Sequence, residues 1–287
     1  MTTTDNGQTI PALTTENLCS HEEWQSFFSR FSHFVLVANS DDQTLDAIRS
    51  SYPDTALFIF FNRVNKVLKE PFVGNSILVT RSNQAGSELV YRDILGQMVA
   101  LLPAPGFLGV MNMRTVEFER LMEPSQFKQA PAGTLDLAEY FHDLYPQEHT
   151  ASSGFAMALW LYEHVPASKI VLTGFSATRG KKWKLFLVHD WVFEQSVLNL
   201  LAINDRLEFS GKTVRNPYAR LLQRFPDLKT EDVLFASLQT LSMQLEGNKR
   251  HIDRLISVTA PLRFLYDGFK AMKRKSKKDR ILAAERK

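Results

Sequence analysis

Five short apolar-rich runs, Phe34–Val37, Ala56–Phe61, Ser76–Thr80, Lys169–Thr173 and Trp183–Val188, constrain this chain more than any other feature. A strand with one face in water alternates apolar and polar residues; a run that is apolar at nearly every position needs cover on both faces, as in a parallel sheet. Helical spacing lies between the runs: Trp24, Phe27, Phe28 and Phe31; the stretch Asp41–Ser50, with Leu45 and Ile48 inward; Phe155–His164; and the strongly apolar Trp191–Ile203. Arg206–Phe209 reads as one more short strand. Strand–helix alternation at this spacing, joined by right-handed crossovers, predicts an α/β fold with a mostly parallel, Rossmann-like sheet and helices on both faces. The segment from Gln84 to Gln147, with Pro103, Pro105, Pro124, Pro131 and Pro146 and weak periodicity, reads as irregular insertions with short helices.

The expected α/β domain runs over residues 1–215, and residues 216–287 look all-helical. Leu234, Leu238, Leu241 and Leu245 form one apolar stripe there, and Leu262, Leu265, Tyr266, Phe269 and Met272 form another. The second stripe runs into a tail, Lys270–Lys287, with nine basic and two acidic residues, a net +7. With +3 overall, the preceding 269 residues carry −4. A mildly acidic body without a basic stripe argues against nucleic acid as a partner. The tail suits anionic lipid headgroups, so the stripes fit a helical cap packed on the sheet and ending in a solvated tail, an amphipathic membrane foot, or a surface for a protein partner. A single cysteine, Cys19, excludes an internal disulfide and a cysteine-rich zinc site, which points to a reducing, cytoplasmic compartment. The polar N-terminus has no basic start and no apolar core, so no signal peptide is expected, nor does any run reach the 18 or so apolar residues of a membrane span.

Two segments carry candidate chemistry. Ser152-Ser153-Gly154 opens an apolar helix. Hydroxyls and free backbone N–H groups at a helix start, with the helix dipole behind them, can cradle a phosphate or carboxylate; a serine N-cap is the plainer reading. The second is His189-Asp190-Trp191-Val192-Phe193-Glu194. A strand predicted over Trp183–Val188 ends at His189, and Asp190 is a natural N-cap for the next helix. Ligands of parallel sheets bind at such strand ends. A histidine there can take a proton from a hydroxyl, and Glu194, one turn on, can steer the imidazole. A histidine packed beside a capping aspartate is the structural alternative.

Taken together, the order Ser-Ser-Gly, helix, strand, Thr173-Gly174-Phe175, strand, His-Asp-x-x-Phe-Glu resembles the sialyltransferase family of animals and plants. Ser152, Ser153, Gly154, Gly174 and Phe175 fall on its small motif, and His189 and Glu194 on its very short motif. Leu36-Val37-Ala38-Asn39-Ser40 and Phe58-Ile59-Phe60-Phe61-Asn62 resemble the large motif. The likeness covers residues 34–62 and 150–210. Ala38 stands for the usual glycine and Ala151 for the proline; the family's bridging cysteine pair and its third motif are missing, and no Golgi anchor is present. What the resemblance implies is a bacterial relative of variant glycosyltransferase-A type. Such an enzyme moves a sialic-acid-type residue or Kdo from its CMP-activated donor to a lipopolysaccharide or capsule glycan, at the inner face of the cell membrane. On this reading His189 is the general base, and Asn39, Ser40 and Asn62 hold the nucleotide. Ser152, Ser153, Gly154, Gly174 and Lys184 surround the phosphate, with no cofactor and no metal. The alternatives are a non-catalytic nucleotide- or glycan-binding module and a transferase using a UDP- or GDP-sugar.

Overall fold

The computed structural model describes residues 13–39, 45–82, 84–175, 188–204, 206–210 and 217–272. Two compact units divide the chain, Met1–Thr213 and Val214–Lys287.

Among the described residues of the first unit seven parallel strands form one sheet, a Rossmann-like α/β arrangement. The strands are β1 (His33–Val37), β2 (Ala56–Phe61), β3 (Ser76–Arg81), β4 (Phe107–Arg114), β5 (Ala132–Asp136), β6 (Lys169–Thr173) and β7 (Leu207–Phe209). Around them lie α1 (His21–Phe28), α2 (Leu45–Ser50), α3 (Gln84–Tyr91), α4 (Leu95–Val99), α5 (Ala138–His142), α6 (Ser153–His164) and α7 (Trp191–Leu201). All six residues of β2 and of β3 are buried, which is why those runs show no polar alternation. Phe34, Leu36, Leu57 and Ile59 point to one face, where Trp24 and Phe28 of α1, Phe155 and Trp160 of α6 and Leu198 of α7 cover them. Val35, Val37, Phe58 and Phe60 point to the other, under Leu89 of α3 and Leu95 and Met98 of α4.

Strand order is β5-β4-β3-β2-β1-β6-β7. The chain steps outward from β1 to β5 and returns through α6 to place β6 on the far side of β1. The direction of winding therefore reverses between β1 and β6, and in sheets of this kind the crevice outside the strand C-termini at that point receives ligands. Asn39 follows β1 there, and Gly174 follows β6.

The stretch between Gln84 and Gln147 corrects the reading of irregular insertions: it contributes two full sheet strands, β4 and β5. Gly109, at φ +130°, and the buried Asn112 interrupt the apolar run of β4, and β5 reads only Ala-Gly-Thr-Leu-Asp. Gly109 sits against Thr15 and Pro131, where a Cβ would collide with the Pro131 carbonyl at 2.5 Å. Asn112 replaces apolar packing with hydrogen bonds, receiving Ser82 Oγ at 2.8 Å and Met122 N at 2.9 Å on Oδ1. The strand expected over Trp183–Val188 lies, but for Val188, outside the described residues, and Val188 itself is in a turn.

The second unit contains α8 (Pro217–Arg224) and α9 (Thr230–Met272), a helix of 43 residues. Among the described residues no helix is long and apolar enough to cross a membrane.

Candidate active site

Segment 145–152 and segment 188–194 are stitched together at the C-terminal edge of the sheet. Thr150 N donates to Val188 O at 2.8 Å, and Asp190 N donates to the Tyr145 hydroxyl at 3.0 Å. That hydroxyl in turn donates to Glu194 Oε1 at 2.8 Å. Asp190 caps α7 by accepting from Phe193 N at 2.9 Å, as its place before the helix predicts.

His189 Nδ1 lies 2.6 Å from the Thr150 carbonyl oxygen. A carbonyl can only accept, so Nδ1 carries the proton, and in the neutral ring Nε2 is left with the lone pair. Nε2 has no hydrogen-bond partner among the described residues. Burial holds the imidazole below its ordinary 6.5, outweighing the stabilising bond to Thr150, with Arg81 adding to the depression. The ring meets Trp191 edge-on, centroids 5.2 Å apart. Such a histidine is neutral near pH 7, fixed in one tautomer, and able to accept a proton at Nε2.

Glu194 does something other than steer that ring. Its carboxylate, 3% exposed, receives Ser152 N at 2.7 Å, Ser152 Oγ at 2.6 Å and the Tyr145 hydroxyl. Its bonds therefore run to Tyr145 and to the start of α6, and none goes to the histidine five positions before it that it was expected to orient. Ser152 is committed as well: while donating to Glu194, its oxygen caps α6 by accepting from Phe155 N at 3.3 Å. The plainer reading of this serine, an N-cap, is the one its bonds express. Ser153 and Gly154 follow as the first helical residues, and their N–H groups precede the first intrahelical donor, so they remain available to an anion. A Cβ at Gly154 would lie 2.6 Å from the Phe175 ring, so any larger residue there requires that ring to move. Gly174, at φ +75°, makes the left-handed turn that sends the chain away from β6.

Burial lifts the Glu194 carboxyl above 4.5 despite the three hydrogen bonds that oppose it. A raised folded-state value means that the contribution to stability is greatest below the unfolded value and declines as pH rises through the folded one. The cost of Glu194→Gln, which keeps the shape but cannot ionise, should thus be largest below about pH 4.5 and shrink toward neutrality. Urea denaturation of both proteins from pH 4 to pH 8 checks this; a cost that grew with pH would show the carboxylate to be stabilised by its donors instead.

The two asparagines differ. Asn39 Nδ2 donates to Phe61 O at 3.1 Å, while Oδ1 is buried without a partner among the described residues, as is Thr173 Oγ1 at the end of β6. Asn62, in the left-handed region at φ 46°, spends Oδ1 on Arg81 N at 3.0 Å and so ties β2 to β3. For its expected part in holding a nucleotide, Nδ2 and the second lone pair of Oδ1 are left. Ser40 and Lys184 lie outside the described residues.

Sequence reasoning missed Arg81. This residue ends β3 with 1% exposure, and its Nε faces both oxygens of Glu119 at 2.9 and 2.8 Å. Nη1 donates to Ala151 O at 2.6 Å, and Nη2 reaches the Thr115 hydroxyl. The guanidinium thus fastens the residue immediately before the Ser-Ser-Gly triplet to the ends of β3 and β4. An arginine directly after an apolar strand was the available signal. Among the described residues no three His, Cys, Asp or Glu side chains gather as metal ligands. A hollow lined by Gln25, Ser29, His164 and Pro166 lies at the opposite, N-terminal edge of the sheet and shares no residue with this site.

The described residues thus form a parallel α/β fold in which His189 and the segment leading into α6 are joined at the C-terminal edge of the sheet, with Arg81 of β3 fastening Ala151 there. The chain matches no protein-family model, no curated protein and no solved structure.

Proposed function

We propose that this protein is an inverting glycosyltransferase that moves a sialic-acid-type residue or Kdo from its CMP-activated donor to a hydroxyl of a cell-surface glycan or glycolipid. The observation that carries the reading is His189: neutral, tautomerically fixed by Thr150, and bound into the same edge of the sheet as the first turn of α6. The motif order shared with sialyltransferases supplies the choice of substrate class.

In the proposed reaction His189 Nε2 removes the acceptor hydroxyl proton as that oxygen attacks the anomeric carbon. The bond from that carbon to the CMP phosphate oxygen breaks on the opposite face, inverting the centre, and the proton stays on the imidazole. Charge gathering on the departing phosphate meets the N–H groups of Ser153 and Gly154 and the positive end of the α6 dipole. Asn39 contributes an amide to the nucleotide. Residues 273–287, outside those described, hold most of the basic tail, which would keep the enzyme on the anionic inner face of the membrane.

A thermal-shift series tests the donor class. CMP should raise the melting temperature by more than UMP or GDP, because a ligand bound only by the folded state stabilises it by mass action. Turnover with CMP-Kdo or a CMP-sialic acid and a cell-envelope acceptor should survive EDTA. A response to UMP or GDP alone would transfer the assignment to another nucleotide-sugar class. CMP binding without turnover on any donor would leave a binding module.

A further inference from the structure

Helix α9 carries an uninterrupted heptad repeat. From Leu234 the positions 238, 241, 245, 248, 252, 255, 259, 262, 266 and 269 alternate steps of four and three residues, so that d is Leu234, Leu241, Asn248, Leu255, Leu262 and Phe269, and a is Leu238, Leu245, Ile252, Thr259 and Tyr266. A period of 3.5 sustained over five heptads specifies a left-handed supercoil with another helix rather than a face laid on a sheet or a bilayer. The helix is α-helical through the whole repeat, roughly 65 Å at 1.5 Å per residue. Its described a and d leucines and isoleucine are between 54% and 66% exposed within a single chain.

We infer that α9 pairs with α9 of a second copy of this chain as a parallel, in-register coiled coil. Charge selects the orientation. The e positions include Lys249, Arg263 and Lys270, whereas the g positions from Ser237 to Leu265 bear no Asp, Glu, Lys or Arg. Parallel packing sets e against g of the partner helix, so each cation meets an uncharged residue; antiparallel packing sets e against e and crowds the cations. Asn248 and Thr259 supply two polar layers, and at the first of them two identical amides bond to each other only in register. The area suffices: six apolar a and d side chains per helix between Leu234 and Leu255, at roughly 100 Å² each, reach the lower bound of about 1,200 Å² for a stable interface. The pairing also gives one particle two copies of the basic sequence 270–287, which strengthens a weak surface attraction without new contacts. It does not depend on the proposed function.

Sedimentation equilibrium of the full chain should return twice the 32.8 kDa of one copy at micromolar concentration. Leu241→Lys combined with Leu245→Lys should return the single-chain mass, while the far-ultraviolet and thermal signals of the α/β unit persist. In a Cys19→Ser background, Leu241→Cys should cross-link to itself on oxidation, which a parallel in-register pair permits. A single-chain mass for the unaltered protein would overturn the inference. So would a dimer that Leu241→Lys/Leu245→Lys leaves intact, no cross-link at position 241, or assembly seen only with anionic vesicles; the last would assign the stripe to the membrane.

Discussion

Replacing His189 with alanine should lower glycosyl transfer by about 10²- to 10⁴-fold, the usual worth of a positioned general base, with CMP affinity unchanged. The split follows from geometry. The N–H groups proposed to meet the phosphate are on the first turn of α6, and what holds that turn is the Glu194–Ser152–Tyr145 network, in which His189 takes no part. The pH profile of the unaltered enzyme carries a matching sign. Burial holds the His189 imidazole below 6.5, so activity should rise as pH climbs through a value beneath 6.5 and then level off. His189→Gln, which retains a side-chain amide without a titrating nitrogen, should remain slow and lose that limb. A variant with near-normal turnover would remove His189 from the mechanism, and a limb above 6.5 would place the base elsewhere. CMP titration alongside initial rates gives both readings.

Arg81→Met is expected to cost about 3–5 kcal/mol of folding stability, because it strands the Glu119 carboxylate in the interior without a cation. Against a total of about 5–15 kcal/mol for a typical domain, that leaves a substantial unfolded fraction. The loss extends beyond the ion pair: Ala151 O and the Thr115 hydroxyl lose their donors, and Thr115 N still points at Glu119 at 3.2 Å. The double change Arg81→Met, Glu119→Leu should recover much of the loss, since no buried charge remains and apolar side chains of similar volume fill the space. Urea melts of the three proteins decide it. Equal destabilisation in the single and double variants would mean that the hydrogen bonds to Ala151 and Thr115, rather than the stranded charge, set the cost.

These two residues also mark how far a sequence can be read. Strand β2 is legible because burial on both faces gives it an apolar residue at every position, and β3 because its Ile77-Leu78-Val79 centre does the same, which no surface helix does. The caps of α6 and α7 are equally plain, since Ser152 and Asp190 act on N–H groups three residues away. Strand β4 escapes because Asn112 earns its buried place through Ser82 and Met122, thirty and ten residues distant. The partner of Arg81 is 38 residues away and those of Glu194 are 42 and 49. Spacing within one hexapeptide suggests that Glu194 serves His189; only the sheet's return past β1 brings Tyr145 and Ser152 to it instead.

The amide of Asn39 has a chemical polarity that its surroundings do not let it reverse. Phe61 O holds the nitrogen, so turning the group over would set oxygen against oxygen, and the carbonyl oxygen keeps its place with no partner among the described residues. Its water was given up when the chain folded, and a buried acceptor left without a donor costs about 1–3 kcal/mol. The turn after β1 therefore holds back stability that a hydrogen donor brought to this oxygen would return.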